Sequence, residues 1–389
     1  MSRWEERRLG ELIRINPETL KVTKYSGSIE YIDIASVSNG KLEGYTSYDI
    51  TEAPSRARRV IKDNDVIFST VRPNLKAYYY VKKTPENAIC STGFAVLRAK
   101  SDVNSRFIYF LVTENSFINY LALVAKGSAY PAVDANDFKR AKVFIPDLPT
   151  QKRIADILSS YDDLIENNNR RIQLLEQTAQ ELYREWFVRF RFPGHEKVKF
   201  ENGLPEGWEI KTLGDIAVVI MGQSPTSDNY NENNQGLPFH QGVGSYGDFY
   251  LKDKVYSIKG NKIANPQSII FSVRAPVGRI NVNLNKIILG RGVASINSKY
   301  SCNYFLLWQL KYYFSKEDTI GNGSIFTSVT KDDLLKYKLI YPVDSLMKDF
   351  NEIAQNIELE IRTIYLTNVN LIKQRDLLLP RLMSGKMEV

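Results

Sequence analysis

Cysteine and histidine are nearly missing from this chain. Cys90 and Cys302 are its only thiols, and His195 and His240 its only imidazoles, among 389 residues. Two cysteines cannot build a disulfide scaffold or a zinc cluster. Two histidines so far apart in sequence offer neither a histidine metal cage nor a Ser–His–Asp triad. No apolar run reaches the length of a membrane span, and the opening MSRWEERRLGEL lacks the apolar core of a signal peptide. A cytoplasmic protein with no membrane partner is the expectation. A Walker lysine motif is absent, as is the Asp/Asn-Pro-Pro-Tyr/Phe tetrapeptide of amino-methyltransferases. Gly242-Val-Gly-Ser-Tyr-Gly247 has dinucleotide-binding spacing, but DFYLKDKVYSIKG follows it and reads as strand. Without a surrounding βαβ unit it is a glycine-rich loop. Glu209-x-Lys211 fits a nuclease pattern only in isolation, because it belongs to a duplicated opening. Catalytic, metal and cofactor sites are therefore not expected in this chain.

What is present is organised around Pro149–Phe187, which contains no glycine and no proline after its first residue. Alternating steps of four and three from Ile154 reach Leu158, Tyr161, Ile165, Asn168, Ile172, Leu175, Ala179, Leu182 and Trp186. Only Asn168 among these is neither apolar nor aromatic. Such a seam predicts a long helix paired with another, with Asp147 or Thr150 as its N-terminal cap. A second helix is expected from near Asp344, carrying Leu346, Phe350, Ile353, Ile357, Ile361, Ile364, Asn368, Leu371 and Leu378. The four-residue step from Ile357 to Ile361 resembles a stutter, and Pro380 with Gly385 is expected to end the helix.

The rest of the chain says everything twice. Trp4–Ile13 matches Trp208–Ala217, and Asp65–Pro73 matches Ser268–Pro276. Gly127–Val133 with Phe138–Pro146 returns as Gly323–Val329 with Leu334–Pro342. Each copy carries short β-rich runs such as VIFSTV and SIIFSV, with helical patterns at Ser105–Asn119 and Tyr304–Phe314. The expected fold class is α+β with a pseudo-two-fold internal repeat. Globular blocks at 1–146 and 188–341 are separated by long helices at 147–187 and 342–389. RFRFPGHEKVKFENGLPEGW, at the start of the second block, reads as a linker. For a tandem repeat to gain approximate two-fold symmetry, the helices must run antiparallel, which puts the blocks at opposite ends.

Charge follows the same division. The chain carries +8 overall, with +6 on each globular block, −3 on the central helix and −1 on the C-terminal segment. Two equally basic blocks suit a polyanion. Their loops interleave basic, amide and aromatic side chains able to neutralise phosphates and pair with base edges. The first block offers Arg56, Arg58, Arg59, Lys62, Arg72, Asn74, Lys76 and Tyr79. The second offers Gln223, Ser224, Tyr230, His240, Gln241, Lys262, Arg274, Arg279 and Arg291. A coiled-coil scaffold whose basic lobes bind proteins is the alternative.

Several stretches then carry a resemblance. They are Ile145-Pro-Asp-Leu-Pro-Thr-Gln151-Lys-Arg-Ile154, Leu182-Tyr-Arg-Glu-Trp-Phe-Val-Arg-Phe190 and Gly203-Leu-Pro-Glu-Gly-Trp208. To these add Gly222-Gln-Ser-Pro-Thr226, Leu237-Pro-Phe-His-Gln-Gly242 and Gln374-Arg-Asp-Leu-Leu-Leu-Pro380-Arg-Leu-Met-Ser-Gly385. Together they resemble the specificity subunits of type I restriction–modification systems over essentially the whole chain. The resemblance implies two target-recognition domains, each reading one half of a split double-stranded DNA target. It implies an antiparallel coiled coil that sets the gap. It also implies docking of two methyltransferase (modification) subunits and, through them, restriction (endonuclease/translocase) subunits. S-adenosylmethionine, ATP and Mg would then sit on those partners. One register follows from the repeat. The midpoint of Ile154–Trp186 is 170, and its equivalent 196 residues later is 366, so antiparallel partners sum to 536 and Asn168 should face Asn368.

Overall fold

The computed structural model describes residues 4–314 and 328–389 except Val22 and Lys24. Most of the repeated segment Gly323–Val329 therefore lies outside the described residues. The chain forms two compact units, Met1–Asn168 with Leu366–Val389, and Asn169–Tyr365. Each of two 40-residue helices, Leu148–Phe187 and Asp344–Met383, starts in one unit and finishes in the other.

The duplication in sequence is a duplication of topology. In the first unit an antiparallel sheet runs Ile13–Ile15, Phe94–Ala99, Val66–Ser69, Tyr78–Tyr80. In the second it runs Ala217–Met221, Val293–Ser298, Ile269–Ser272, Ile280–Val282. A ribbon opens each unit, Glu5–Arg8 against Lys142–Ile145 and Glu209–Thr212 against Lys338–Tyr341. A mixed sheet completes each, with a parallel pair at its centre: Ser28–Ile32 with Ala88–Ser91, and Leu237–His240 with Ile287–Leu289. Even a local cap repeats. The Asp134/Asp137 capping box recurs as Thr330/Asp333, which starts the same short helix before the ribbon.

Both long helices take their burial from the units they cross. Asp147 caps the central helix by accepting from Thr150 N at 2.8 Å. In the first unit Ile154, Ala155 and Leu158 enter a core with Phe107, Phe138, Leu382 and Met383. There Asn168 Nδ2 donates to Asn368 Oδ1 at 2.8 Å, so the amides face each other as the register sum requires. Arg375 Nη1 reaches Asp162 Oδ1 at 2.6 Å. Burial pushes the Asp162 carboxyl above its ordinary range even against this cation. In the second unit Trp186 and Phe187 pack on Phe350, with ring centroids 5.9 and 5.2 Å apart. Lysines and arginines of the basic blocks grip the acidic central helix. Lys82 and Arg106 reach Asp163 at 2.8 and 3.3 Å, and Lys311 reaches Glu176 at 2.9 Å.

Four expectations need correction. Ile353 is 39% exposed, and the buried line runs Phe350, Ala354, Glu358, Ile361, Ile364, Asn368, so the break in the heptad falls a turn earlier. Ile357, Leu371 and Leu378 are only half-buried. Pro380 does not stop the C-terminal helix, which continues to Met383, because a proline within the last turn forfeits a single hydrogen bond. Gly385 closes it with φ +69, where an added Cβ would meet Trp4 Nε1 at 2.6 Å. The Ser105–Asn119 pattern is two helices, Ser105–Thr113 and Asn115–Val124, bent by 63° at Glu114. The supposed linker holds a small hairpin, Phe200–Glu201 with Leu204–Pro205, and Phe192 stacks on Trp208 at 5.5 Å. No single helix among the described residues is long and apolar enough to cross a membrane.

Glu358 is the anomaly in the seam. Only 2% exposed, it accepts from the Tyr250 hydroxyl at 2.5 Å, and Oε2 has no protein partner among the described residues. Burial pushes its carboxyl up to about 7, against the opposing pull of Tyr250, Lys311 and Arg362. A folded-state value above the unfolded one means the native chain holds the proton longer. This stabilisation is full below about pH 4.5 and is lost as pH rises to about 7. At ~1.4 kcal/mol per unit it amounts to roughly 3 kcal/mol. Glu358→Gln keeps the shape without the titration. Its stability relative to the parent, measured by urea unfolding, should rise by that amount from pH 5 to pH 8. A difference independent of pH would contradict the assignment.

Candidate nucleic-acid interface

In the first unit the exposed Arg56 and Arg72 stand where four loops meet. Thr92 N donates to Arg56 O at 2.8 Å, Thr70 N to Gly93 O at 2.8 Å and Arg72 N to Pro131 O at 2.8 Å. Arg72 and Lys76 both adopt left-handed backbone, φ +48 and +57, around the turn Pro73–Leu75. Such conformations are uncommon for long side chains and persist where neighbours enforce them. The Arg72 guanidinium lies over the Tyr130 ring at 4.9 Å and donates to Ala129 O at 3.1 Å. Tyr130 itself is 71% exposed. Sequence reasoning did not single it out, although it sits in Gly127–Val133, whose second copy carries an aromatic, Phe326, at the same place.

Most of the other first-block residues are engaged within the fold. Lys62 Nζ binds Glu18 Oε1 at 2.7 Å, in a network where Arg98 clasps Asp65 through two 2.8 Å bonds. The Glu18 carboxyl is held below its ordinary range chiefly by the Lys62 hydrogen bond, then by Arg98. Lys76 Nζ donates to Asn115 Oδ1 at 3.0 Å, and Arg58 Nη1 to Ala57 O at 2.8 Å. Arg59 lies opposite Cys90 in the mixed sheet, with Nε buried. Tyr79 is half-buried in its strand, while Asn74 is exposed beside Arg72.

The second unit brings its residues closer together. Gln223 N donates to Leu289 O at 2.9 Å, and Arg291 N to Ser224 Oγ at 3.1 Å. Val273 N donates to Gly292 O at 2.9 Å, which brings the Arg274 loop alongside. Gly292 is tight against Gln241, whose carbonyl oxygen would lie 2.1 Å from an added Cβ. Gln223, Gln241, Arg274 and Arg291 are all exposed, so four loops present two amides and two guanidinium groups around a single convergence. Lys262 and Arg279 are exposed on adjoining segments, since Lys262 O accepts from Leu289 N and Arg279 O from Ser272 N. Tyr230 stacks on Phe239 at 4.6 Å with its hydroxyl on Pro225 O at 2.8 Å. These are side-chain types that pair with guanine, adenine and phosphate.

His240 departs from expectation in two ways. Its side chain is fully buried, so it cannot touch a base directly. It is also engaged at both ring nitrogens. Nδ1 lies 2.8 Å from Ser245 Oγ, and Nε2 lies 2.9 Å from Asp253 Oδ1. Burial raises the Asp253 carboxyl, but hydrogen bonds from His240 and Asn285 outweigh it and the net shift is downward. Ser245 Oγ is already turned to Gly242 O at 3.1 Å, within the folded glycine-rich loop. Beyond that loop only Tyr256–Ser257 is strand, less than the pattern suggested.

A sequence profile described as the type I restriction modification DNA specificity domain matches residues 1–177 and 205–374. This chain belongs to that family. A putative type I restriction enzyme MjaX specificity subunit of Methanocaldococcus jannaschii is 30% identical over 355 residues, covering 87% of this chain and 83% of the relative. The HindI specificity subunit of Haemophilus influenzae is 23% identical, with 99% and 100% covered. The crystal structure of the type I restriction-modification S subunit from M. genitalium shares the fold. It gives a TM-score of 0.62 at 16% identity, with 98% and 96% covered. The two matched segments of the profile coincide with the two copies of the topology, so the internal repeat is a repeat of the specificity domain.

Proposed function

We propose that the chain is the sequence-reading subunit of a type I restriction–modification complex acting in the cytoplasm. Each unit reads one half of a bipartite duplex, through the Arg56/Arg72 loops in the first and the Gln223/Gln241/Arg274/Arg291 loops in the second. The paired helices hold the two readers at a fixed gap. The observation that carries the reading is that one topology occurs twice, each time with exposed cationic and amide side chains on converging loops. Two modification subunits dock on the chain and bring S-adenosylmethionine. Restriction subunits join through them and supply ATP- and Mg-dependent chemistry. The C-terminal helix supports docking. Within the first unit Leu366 and Leu377 are 43% and 57% exposed on the side of the helix turned away from Ile361 and Asn368. Two exposed leucines on one face are compatible with a partner seated there.

Titrating the chain with labelled duplex at increasing salt tests the reading. Log affinity should fall steeply and linearly with log salt, by ~0.9 per phosphate neutralised. Binding insensitive to salt would favour the protein-binding scaffold instead. The purified chain alone should transfer no labelled methyl group to DNA.

A further inference from the structure

His240 does not face solvent, yet the Gln241 and Arg291 loops of the second reader meet at its backbone. It ends the strand Leu237–His240, and its carbonyl accepts from Gly290 N at 2.8 Å, in the loop that carries Arg291. The next residue is the exposed Gln241, wedged so closely that a Cβ on Gly290 would come within 2.8 Å of its Cα. The imidazole then ties the far side of the glycine-rich loop in two places. Ser245 is held at one nitrogen, and Asp253, thirteen residues after His240, at the other. Asp253 Oδ2 in turn accepts from Asn285 Nδ2 at 2.7 Å, which anchors the clamp to the segment entering Ile287–Leu289. Lys252 N to Ser245 O at 2.8 Å closes the loop on itself. A loop containing Gly242, Gly244 and Gly247 has large freedom to lose, and His240 holds it from inside at Ser245 while Asp253 ties down the segment that follows.

We propose that His240 is a positioning residue for base readout: by clamping Ser245 and Asp253 it fixes Gln241 and the neighbouring Arg291 loop in the geometry that discriminates one half of the target. The inference rests on the DNA-reading function above. Base discrimination by bidentate side chains depends on placement, whereas phosphate attraction does not. Loosening the clamp therefore removes specificity before it removes binding.

Selection from a randomised double-stranded DNA library by the full-length chain separates the outcomes. The parent should enrich a bipartite motif. His240→Ala should keep one half of that motif and lose preference in the other, where the roughly 5- to 150-fold discrimination of a bidentate base contact falls towards unity. Low-salt binding to unselected duplex should hardly change. Ser245→Ala, which removes only the loop-side contact, should act in the same direction, and His240→Gln, whose amide can still donate to Asp253, should restore part of the preference. Retention of both halves by His240→Ala, or equal decay of both halves with a lowered melting temperature, would overturn the proposal. If His240→Ala does not fold, an unchanged motif from Ser245→Ala overturns it. A parent chain that enriches no motif would instead sink the DNA-reading function, and the clamp's role with it.

Discussion

Replacing residues 1–145 by those of a relative changes one half of the recognised target and leaves the other half intact. The expectation follows from two readers that each have a core and a loop cluster of their own. The structure adds a condition for a clean experiment. Leu382 and Met383 are buried in the first unit's core, and Gly385 abuts Trp4. A graft of 1–145 alone exchanges one side of that contact, and the loss of a well-packed apolar contact costs on the order of 1–3 kcal/mol. Grafting residues 380–389 from the same relative restores the match. Sequencing the methylated bases in cells that carry the chimera and the modification subunit reads the result. A change in both halves together would refute independent readers.

Lengthening both long helices by one heptad should widen the gap between the half-sites by about three base pairs. Seven helical residues add ~10 Å, and B-DNA rises 3.4 Å per base pair. The insertions belong next to the Asn168–Asn368 pair, between Asn169 and Ile172 in one helix and at the matching place near Tyr365 in the other, so that the amides still meet. A heptad in one helix only is the control. It moves Asn168 away from Asn368 and leaves two buried amides unpaired, at roughly 1–3 kcal/mol each. That variant should be less stable, whereas the double insertion should stay close to the parent. Methylated sites with an unchanged gap in the double insertion would remove the helices as a ruler.

The features legible in the sequence are those that depend on spacing along the chain. Ile154, Leu158 and Ile165 fall on the buried side because residues three and four apart share a helix face. Asn168 finds Asn368 because the repeat offset fixes an antiparallel register. What stayed hidden depends on partners brought in by folding. Ile353 looks like a seam residue by periodicity, yet Ala354 and Glu358 take the buried positions, the latter because Tyr250 arrives from a loop 108 residues away to meet it. His240 looks like a reader because it stands among reading residues, but its side chain is turned inward and bonded to Ser245 and Asp253. Tyr130 could have been found, since the repeat keeps an aromatic there, but repetition alone does not separate a surface ring from a core ring.

The first unit is discontinuous, whereas Asn169–Tyr365 is one unbroken stretch. Residues 1–168 are made first but lack Leu366–Val389, which supplies Leu382 and Met383 to their core and Asn368 to Asn168. The usual order, in which the part made first folds first, therefore cannot complete this unit: its early residues close only after a segment made later than the whole of the second unit has joined them.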